Sequence, residues 1–415
     1  MDDELKEKIS RFIRDGINET EVSRISDPFW QNLKNTGTEL WLDTGDIDEA
    51  EKNWTAEMTA LTTNNTLVNN EIQKGIYDEF IAKSKEIVKD LPLKEQVKEI
   101  AFILNARHGL RLACKFGGFV SVELHTDTAH DFDAIIDYGL RYREICPDQF
   151  IVKVPYTPTG LLGARHLREL GVKINFTLEF SARQNVMVAI ITKPNYLNVF
   201  LGRLGAYVKD GGLGDGFGIG ERAVLSSQKW IKKLTLRNTE PTRLIAASLR
   251  GAHQLDLLAG VDVFTIPIKV AVDGKKSLSG EYTSRIDEVY PVNFTEAAEG
   301  MAVEKLWEVT DAELALAKDI DSNPPKDGDE LLRRVHEVGL GDMFPLLSEE
   351  DMFHITNDGK IPNHEKWADR IAIGELAIDT MLNLAGLASF MQDQAQLDLR
   401  IERIITEKIA SKYMQ

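Results

Sequence analysis

Lys153 stands inside the apolar run Phe150-Ile151-Val152-Lys153-Val154-Pro155. Lysines are almost never fully buried without a partner. Desolvation favours a neutral amine, and a neutral amine is a nucleophile able to attack a ketone and form a Schiff base. A lysine in such a run can also snorkel to the strand end, or pair with Glu123 or Asp43, and the residue types leave that reading open. Schiff-base chemistry needs a proton carrier for dehydration of the carbinolamine. It needs a second one to deprotonate a hydroxyl when a C–C bond breaks. Glu123 and Asp43 offer two carboxylates for those tasks, or else a buried ion pair that holds Lys153 in place. Asn64, Asn175 and Thr177 are of types that hydrogen-bond sugar hydroxyls, or that merely satisfy strand-end polar groups. Arg203, and Ser248 with Arg250, could hold an anion such as a phosphate, bidentately in the case of arginine. Each arginine alone reads equally well as a salt bridge to the abundant acidic residues.

These residues fall in short apolar runs of strand length: ELWLD, MTALTTN, GFVSVEL, QFIVKVP, KINFTLEF, YLNVFLG, RLIAASL and VFTIPI. Helical patterns lie between them at 77–89, 93–107, 130–144, 159–169, 181–191, 221–234 and 251–259. Strands alternating with helices predict parallel βαβ units, and eight of them predict an α/β fold, a closed (β/α)8 TIM barrel with additional N- and C-terminal helices. An open doubly wound sheet is the alternative. In such a barrel the chemistry sits at the C-terminal strand ends. Five successive strand candidates carry polar residues there: Asp43, Thr63 with Asn64, Glu123, Lys153, and Asn175 with Thr177.

The expected organisation is an N-terminal helical segment over 1–36, a barrel over 37–271 and a mainly helical region over 272–415. Polar amphipathic helices are expected at 3–15 and 20–35. The apolar periodicity of 364–413 would cover a barrel opening or form the interface of a homo-oligomer. Net charge is −17, and no basic patch of a nucleic-acid binder is present. An anion site must therefore be local. Cys114 and Cys146 do not make a disulfide scaffold, the N-terminus lacks an apolar signal core, and the apolar run 186–192 is too short to span a bilayer. A cytoplasmic location, no membrane association and no cofactor are expected. The eight histidines show no metal-ligand spacing, so no metal is expected. GGLGDGFGIGER (211–222) reads as a flexible βα loop, or a lid, rather than a nucleotide site. HITNDGKIPNHE (354–365) mimics a calcium loop but begins with His354, and calcium is rejected.

In the same order along the chain, TTNNTL, FIVKVPYTPTGLLGARHL, INFTLEFS, VFLGR and AASLR resemble the motifs of the transaldolase family of Schiff-base barrels. SFMQDQAQL (389–397) resembles its closing helix. The resemblance implies that Lys153 forms the Schiff base with a keto sugar phosphate. Asp43 would handle the hydroxyl proton in C–C cleavage. Glu123, through a water held by Thr177, would serve imine formation. Asn64 and Asn175 would hold the dihydroxyacetone part, with Ser181 and Phe200 also lining the substrate. Arg203, Ser248 and Arg250 would hold the phosphate. The family usually has Pro where Asn65 stands, and Ser where Asn198 stands; Asn198 could still donate to an anion, which admits a sulfonated sugar as the substrate. Glu123 and Phe200 stand where the aldolase branch has Gln and Tyr, so a transferase is implied rather than an aldolase releasing dihydroxyacetone. A non-catalytic sugar-phosphate-binding scaffold is the reading from another class. Residues 272–370 have no counterpart in the family.

Overall fold

The computed structural model describes residues 1–412, with side chains through Glu407, so the tail of the 364–413 periodicity and of the 272–415 region lies outside the described residues. Eight parallel strands close into a barrel in chain order. They are β1 (Glu39–Asp43), β2 (Met58–Thr62), β3 (Phe119–Glu123), β4 (Phe150–Pro155), β5 (Ile174–Thr177), β6 (Tyr196–Phe200), β7 (Arg243–Ala247) and β8 (Val263–Pro267). β1 pairs with β8 from Glu39↔Val263 to Asp43↔Pro267, which closes the ring and excludes the open sheet.

Two layers of apolar packing follow from the period-2 alternation of the strands. Leu40, Leu42, Leu61, Val120, Val152, Val154, Leu197 and Phe264 face the surrounding helices. Trp41, Ala60, Ile151, Ile245 and Val263 fill the lower interior of the barrel. The residues two further along those same five strands, Asp43, Thr62, Lys153, Ala247 and Thr265, must point the same way, one layer higher. They line the cavity at the C-terminal end of the barrel. The alternation that builds the core thus also aims the lysine inward.

The expected barrel helices are present, several with side-chain caps. Asp131, Thr157 and Ser181 each accept from the backbone N–H three residues on, at Ala134, Gly160 and Gln184. The helix Ala182–Ile191 is buried on nearly all sides, its polar Arg183, Gln184 and Asn185 included, because it is covered by the barrel and by the helices Ile219–Thr235 and Asp311–Ser322.

Two expectations need correction, on the segment 20–35 and on the glycine-rich loop. The segment 20–35 is helical only over Pro28–Lys34, where Asp27 caps the helix and Pro28 occupies its first turn. Before it the chain is extended, with Val22 N–H bonded to Lys115 O and Ala56 N–H to Ile25 O. The residue before a proline disfavours helical backbone, which ends any helix at Asp27. After residue 277 the chain is irregular up to the short turns at Glu296–Ala298 and Val303–Leu306, and helices predominate from Asp311 onward. The glycine-rich loop is tied down instead of loose: Gly214 bridges to Phe294, and Thr295 N–H bonds to Leu213 O at 2.9 Å. None of its residues lines the cavity.

The helix Ile378–Lys412 lies across the C-terminal end of the barrel. Asn383 donates to Leu178 O and Tyr156 O at 2.9 and 3.1 Å, and Asn65 donates to Gln394 at 2.7 Å. The asparagine that departs from the family's proline therefore docks the closing helix. Below it, Arg183 is fully buried and bonds Asp379 twice and Asp342 once, each at 2.8 Å, with Glu313 at 3.5 Å. This hub joins a barrel helix to both the 272–370 region and the closing helix. No helix among the described residues is long and apolar enough to cross a membrane.

Candidate active site

A cavity of about 150 Å³ opens among the C-terminal strand ends, lined by Asp43, Asn64, Lys153, Asn198, Phe200, Arg203 and Ser248, with Thr62, Thr66, Leu67, Ala247, Thr265, Lys360 and Phe390. Lys153 is 2% exposed, and β4 holds it in register between Glu123 on β3 and Asn175 on β5. Its Nζ lies 3.6 Å from Glu123 Oε2, donates to Thr63 O at 3.4 Å, and sits 6.0 Å from the centre of the Phe390 ring. This contact sets the amine beside a carboxyl group of a type that can carry a proton.

Burial raises the Glu123 carboxyl above its usual range, opposed by the Lys153 charge. Asp43 ends β1, two strands away from Glu123 on β3. Burial pushes it from 3.8 up to about 6, again against the pull of Lys153, which makes it a base able to take and return a proton near neutral pH. The two carboxylates thus have different neighbours: Glu123 is paired with the lysine, and Asp43 faces the open cavity.

Asn64 caps the helix Asn65–Gln73, its side-chain oxygen accepting from Leu67 N–H at 2.9 Å, and it lines the cavity. Asn175 lies deeper, donating to Ser121 Oγ at 2.9 Å and accepting from Asn198 at 2.8 Å. Asn198 lines the cavity, but its amide donates both to Asn175 and to Phe176 O. Both amide hydrogens are engaged, so the donation to an anion expected of Asn198 has no free hydrogen in this arrangement. Thr177 Oγ1 is buried without a hydrogen-bond partner. Ser181 is not brought to the cavity: it caps the helix Ala182–Ile191, and its hydroxyl donates to Asp379 at 2.6 Å.

The end of the cavity where Arg203 and Ser248 stand is built by close approach. A Cβ on Gly202 would meet Ser248 O at 2.2 Å and Arg250 Cγ at 2.4 Å, so only glycine lets the β7 loop cross the end of β6. Ser248 sits there in the left-handed region, φ 63°, a strained backbone for a non-glycine residue. Arg203 is 5% exposed, its guanidinium lies 5.4 Å from the Phe200 ring, and its Nη1 has no hydrogen-bond partner. Burial and the nearby Arg250 push it down to about 10. A buried, incompletely partnered guanidinium beside a second arginine is costly alone and favourable once an anion arrives. Gly386 of the closing helix lets that helix pass within reach of Arg203: a Cβ there would stand 3.0 Å from Nη1.

Several lining residues escaped the sequence reading. Thr265 was an unused polar residue in VFTIP, and it donates to Thr62 at 2.8 Å. Phe390 belongs to SFMQDQAQL, where the signal was present. Lys360 gave no signal.

Residues 40–315 match the family described as Transaldolase/Fructose-6-phosphate aldolase. The chain is similar to a Thermus thermophilus protein named "Probable transaldolase", 32% identical over 234 residues that cover 55% of this chain and 86% of the relative. It is also similar to proteins named "Transaldolase" from Chlamydia felis, 26% identical over 65% of this chain and 88% of the relative, and from Nostoc punctiforme, 28% identical over 64% and 79%.

Proposed function

The chain belongs to the transaldolase/fructose-6-phosphate aldolase family, and from that premise we propose that it moves a dihydroxyacetone unit from a ketose phosphate such as fructose 6-phosphate to an aldose phosphate. The observation that carries the reading is the buried Lys153, 3.6 Å from Glu123 and sharing one cavity with Asp43.

The amine of Lys153 adds to the ketone carbon of the donor. Glu123, acting through a water held by Thr177, protonates the departing hydroxyl, and water leaves to give the iminium. Asp43 then takes the proton of the hydroxyl next to the bond that breaks. The C–C bond cleaves, its electron pair moves into the iminium, and an enamine remains on Lys153 as the aldose phosphate departs. An acceptor aldehyde enters, the enamine attacks it, Asp43 returns the proton to the new alkoxide, and hydrolysis frees Lys153. Asn64 holds the dihydroxyacetone part directly. Asn175 works from a layer below, through Asn198 and Ser121. Arg203, Ser248 and Arg250 take the terminal anion.

Phe200 has no hydroxyl with which to protonate the enamine, which supports transfer over release of free dihydroxyacetone. The test is donor turnover with and without an acceptor aldehyde. Transfer requires that fructose 6-phosphate be consumed catalytically only when an acceptor such as erythrose 4-phosphate is present. Steady release of dihydroxyacetone without an acceptor would make the protein an aldolase of the same family.

A further inference from the structure

We propose that Lys360 is a specificity-determining residue of this site, a third cation that closes over the terminal phosphate of the bound sugar from outside the barrel. The proposal rests on the sugar-phosphate reading given above. Every other residue lining the cavity comes from a strand end, the segment just after it, or the closing helix. Lys360 comes from the turn after the helix Glu349–Asp358, beyond the residues 40–315 that match the family.

The turn is built to deliver the side chain. The helix Glu349–Asp358 rests on the closing helix, with Ile355 fully buried and Gln392 donating to Thr356 O at 3.0 Å. Gly359 then reverses the chain at φ 83°, a conformation that a side chain resists. Asp358, the nearest carboxylate in sequence, is occupied: it pairs with Lys366 and accepts from Asn363 N–H at 3.2 Å. Among the described residues no carboxylate lies within 4.0 Å of the Lys360 ammonium. The side chain is exposed, so it is free to move, and its reach includes the cavity holding Arg203.

The charge balance gives this cation a purpose. A chain of net charge −17 repels a phosphorylated sugar at long range. Arg203 is buried and can act only once the anion has entered. An exposed ammonium at the mouth can meet the anion on its way in and stay with it. A compact, hydrated lysine suits a dianionic phosphate monoester, and its effect should be screened by salt.

The test compares Lys360→Ala, Lys360→Glu and Lys360→Arg with the wild-type protein. With fructose 6-phosphate as donor, KM should rise about two- to fivefold in the alanine variant, the range of an exposed ion pair. It should rise further in the glutamate variant and return toward wild type with arginine. kcat should hold, and the preference for fructose 6-phosphate over fructose should fall by the same factor as kcat/KM. Added potassium chloride should erase the difference. Calorimetric titration with inorganic phosphate should show weaker binding to Lys360→Glu than to wild type. Unchanged KM and unchanged phosphate affinity in the glutamate variant would overturn the proposal, as would equal losses on both donors. If wild type turns over no donor at all, the proposed reaction falls, and the phosphate titration alone decides the role of Lys360.

Discussion

Replacing Asp43 by asparagine removes a carboxyl that folding holds at about 6 instead of 3.8. The two pH values bound the effect. Between them the folded protein binds a proton that the unfolded chain releases, so stability falls as pH rises through the window. The difference of about two pKa units corresponds to about 3 kcal/mol, an upper figure for what ionising Asp43 costs the fold above pH 6. Asparagine resembles the protonated acid in size and carries no such cost. Urea denaturation of both proteins from pH 4 to pH 8 should therefore find Asp43→Asn more stable at pH 8, by up to about 3 kcal/mol. The gap should narrow below pH 6 and close near pH 4. The same variant should still form the imine yet fail to break the C–C bond, so borohydride should trap the intact six-carbon adduct. Wild-type kcat/KM should fall on the acid side with a midpoint near 6. A stability gap that is absent, or independent of pH, would refute the claim that burial strains this carboxyl, and normal turnover in the variant would refute its role as the base.

Arg203→Ala should lower kcat/KM for fructose 6-phosphate about ten- to a hundredfold, the loss of a charge-assisted hydrogen bond, and lower it much less for fructose; equal losses on both would mean that Arg203 supports the fold rather than reads the anion. Arg183→Ala strips the guanidinium from Asp379, Asp342 and Glu313 and should cost at least about 3 kcal/mol in chemical denaturation. Arg183 holds the Asp379 carboxyl below its usual 3.8. That stabilisation is complete above 3.8 and is lost as pH falls below it, so the cost of Arg183→Ala should shrink in strong acid.

The barrel was readable because its strands repeat one rule: apolar residues on the outer face and, on most of them, a polar residue inward at the C-terminal end. Lys153 two residues after Ile151, and Asp43 two after Trp41, are that rule in the sequence. The helix Leu201–Asp210 was not readable, because it starts directly at the end of β6 with no polar cap, so YLNVFLG reads as one strand. Ser181 misled for a related reason. Its place in INFTLEFS suited a ligand, but its hydroxyl is taken by Asp379, which lies 198 residues away in the chain. Asn198 likewise gave no sign that Asn175 and Phe176 occupy its amide.

HITNDGKIPNHE shows the limit most clearly. Its calcium-like spacing of acids and glycine comes from a helix end and the turn after it, where Asp358 binds Lys366 and Asn363 N–H. The residue of interest there is the lysine between the glycine and the proline. Nothing in local sequence distinguishes Lys360 from other exposed lysines; only the packing of its helix on the closing helix brings it to the cavity.

The central claim is that Lys153 is the nucleophile, and covalent trapping tests it most directly. The protein is incubated with fructose 6-phosphate, reduced with borohydride, digested, and mapped by mass spectrometry. The account predicts one reduced sugar adduct per chain, on the peptide carrying Lys153, and none in Lys153→Ala, which should also be inactive. An adduct on a different lysine, with Lys153→Ala still turning over donor, would contradict it.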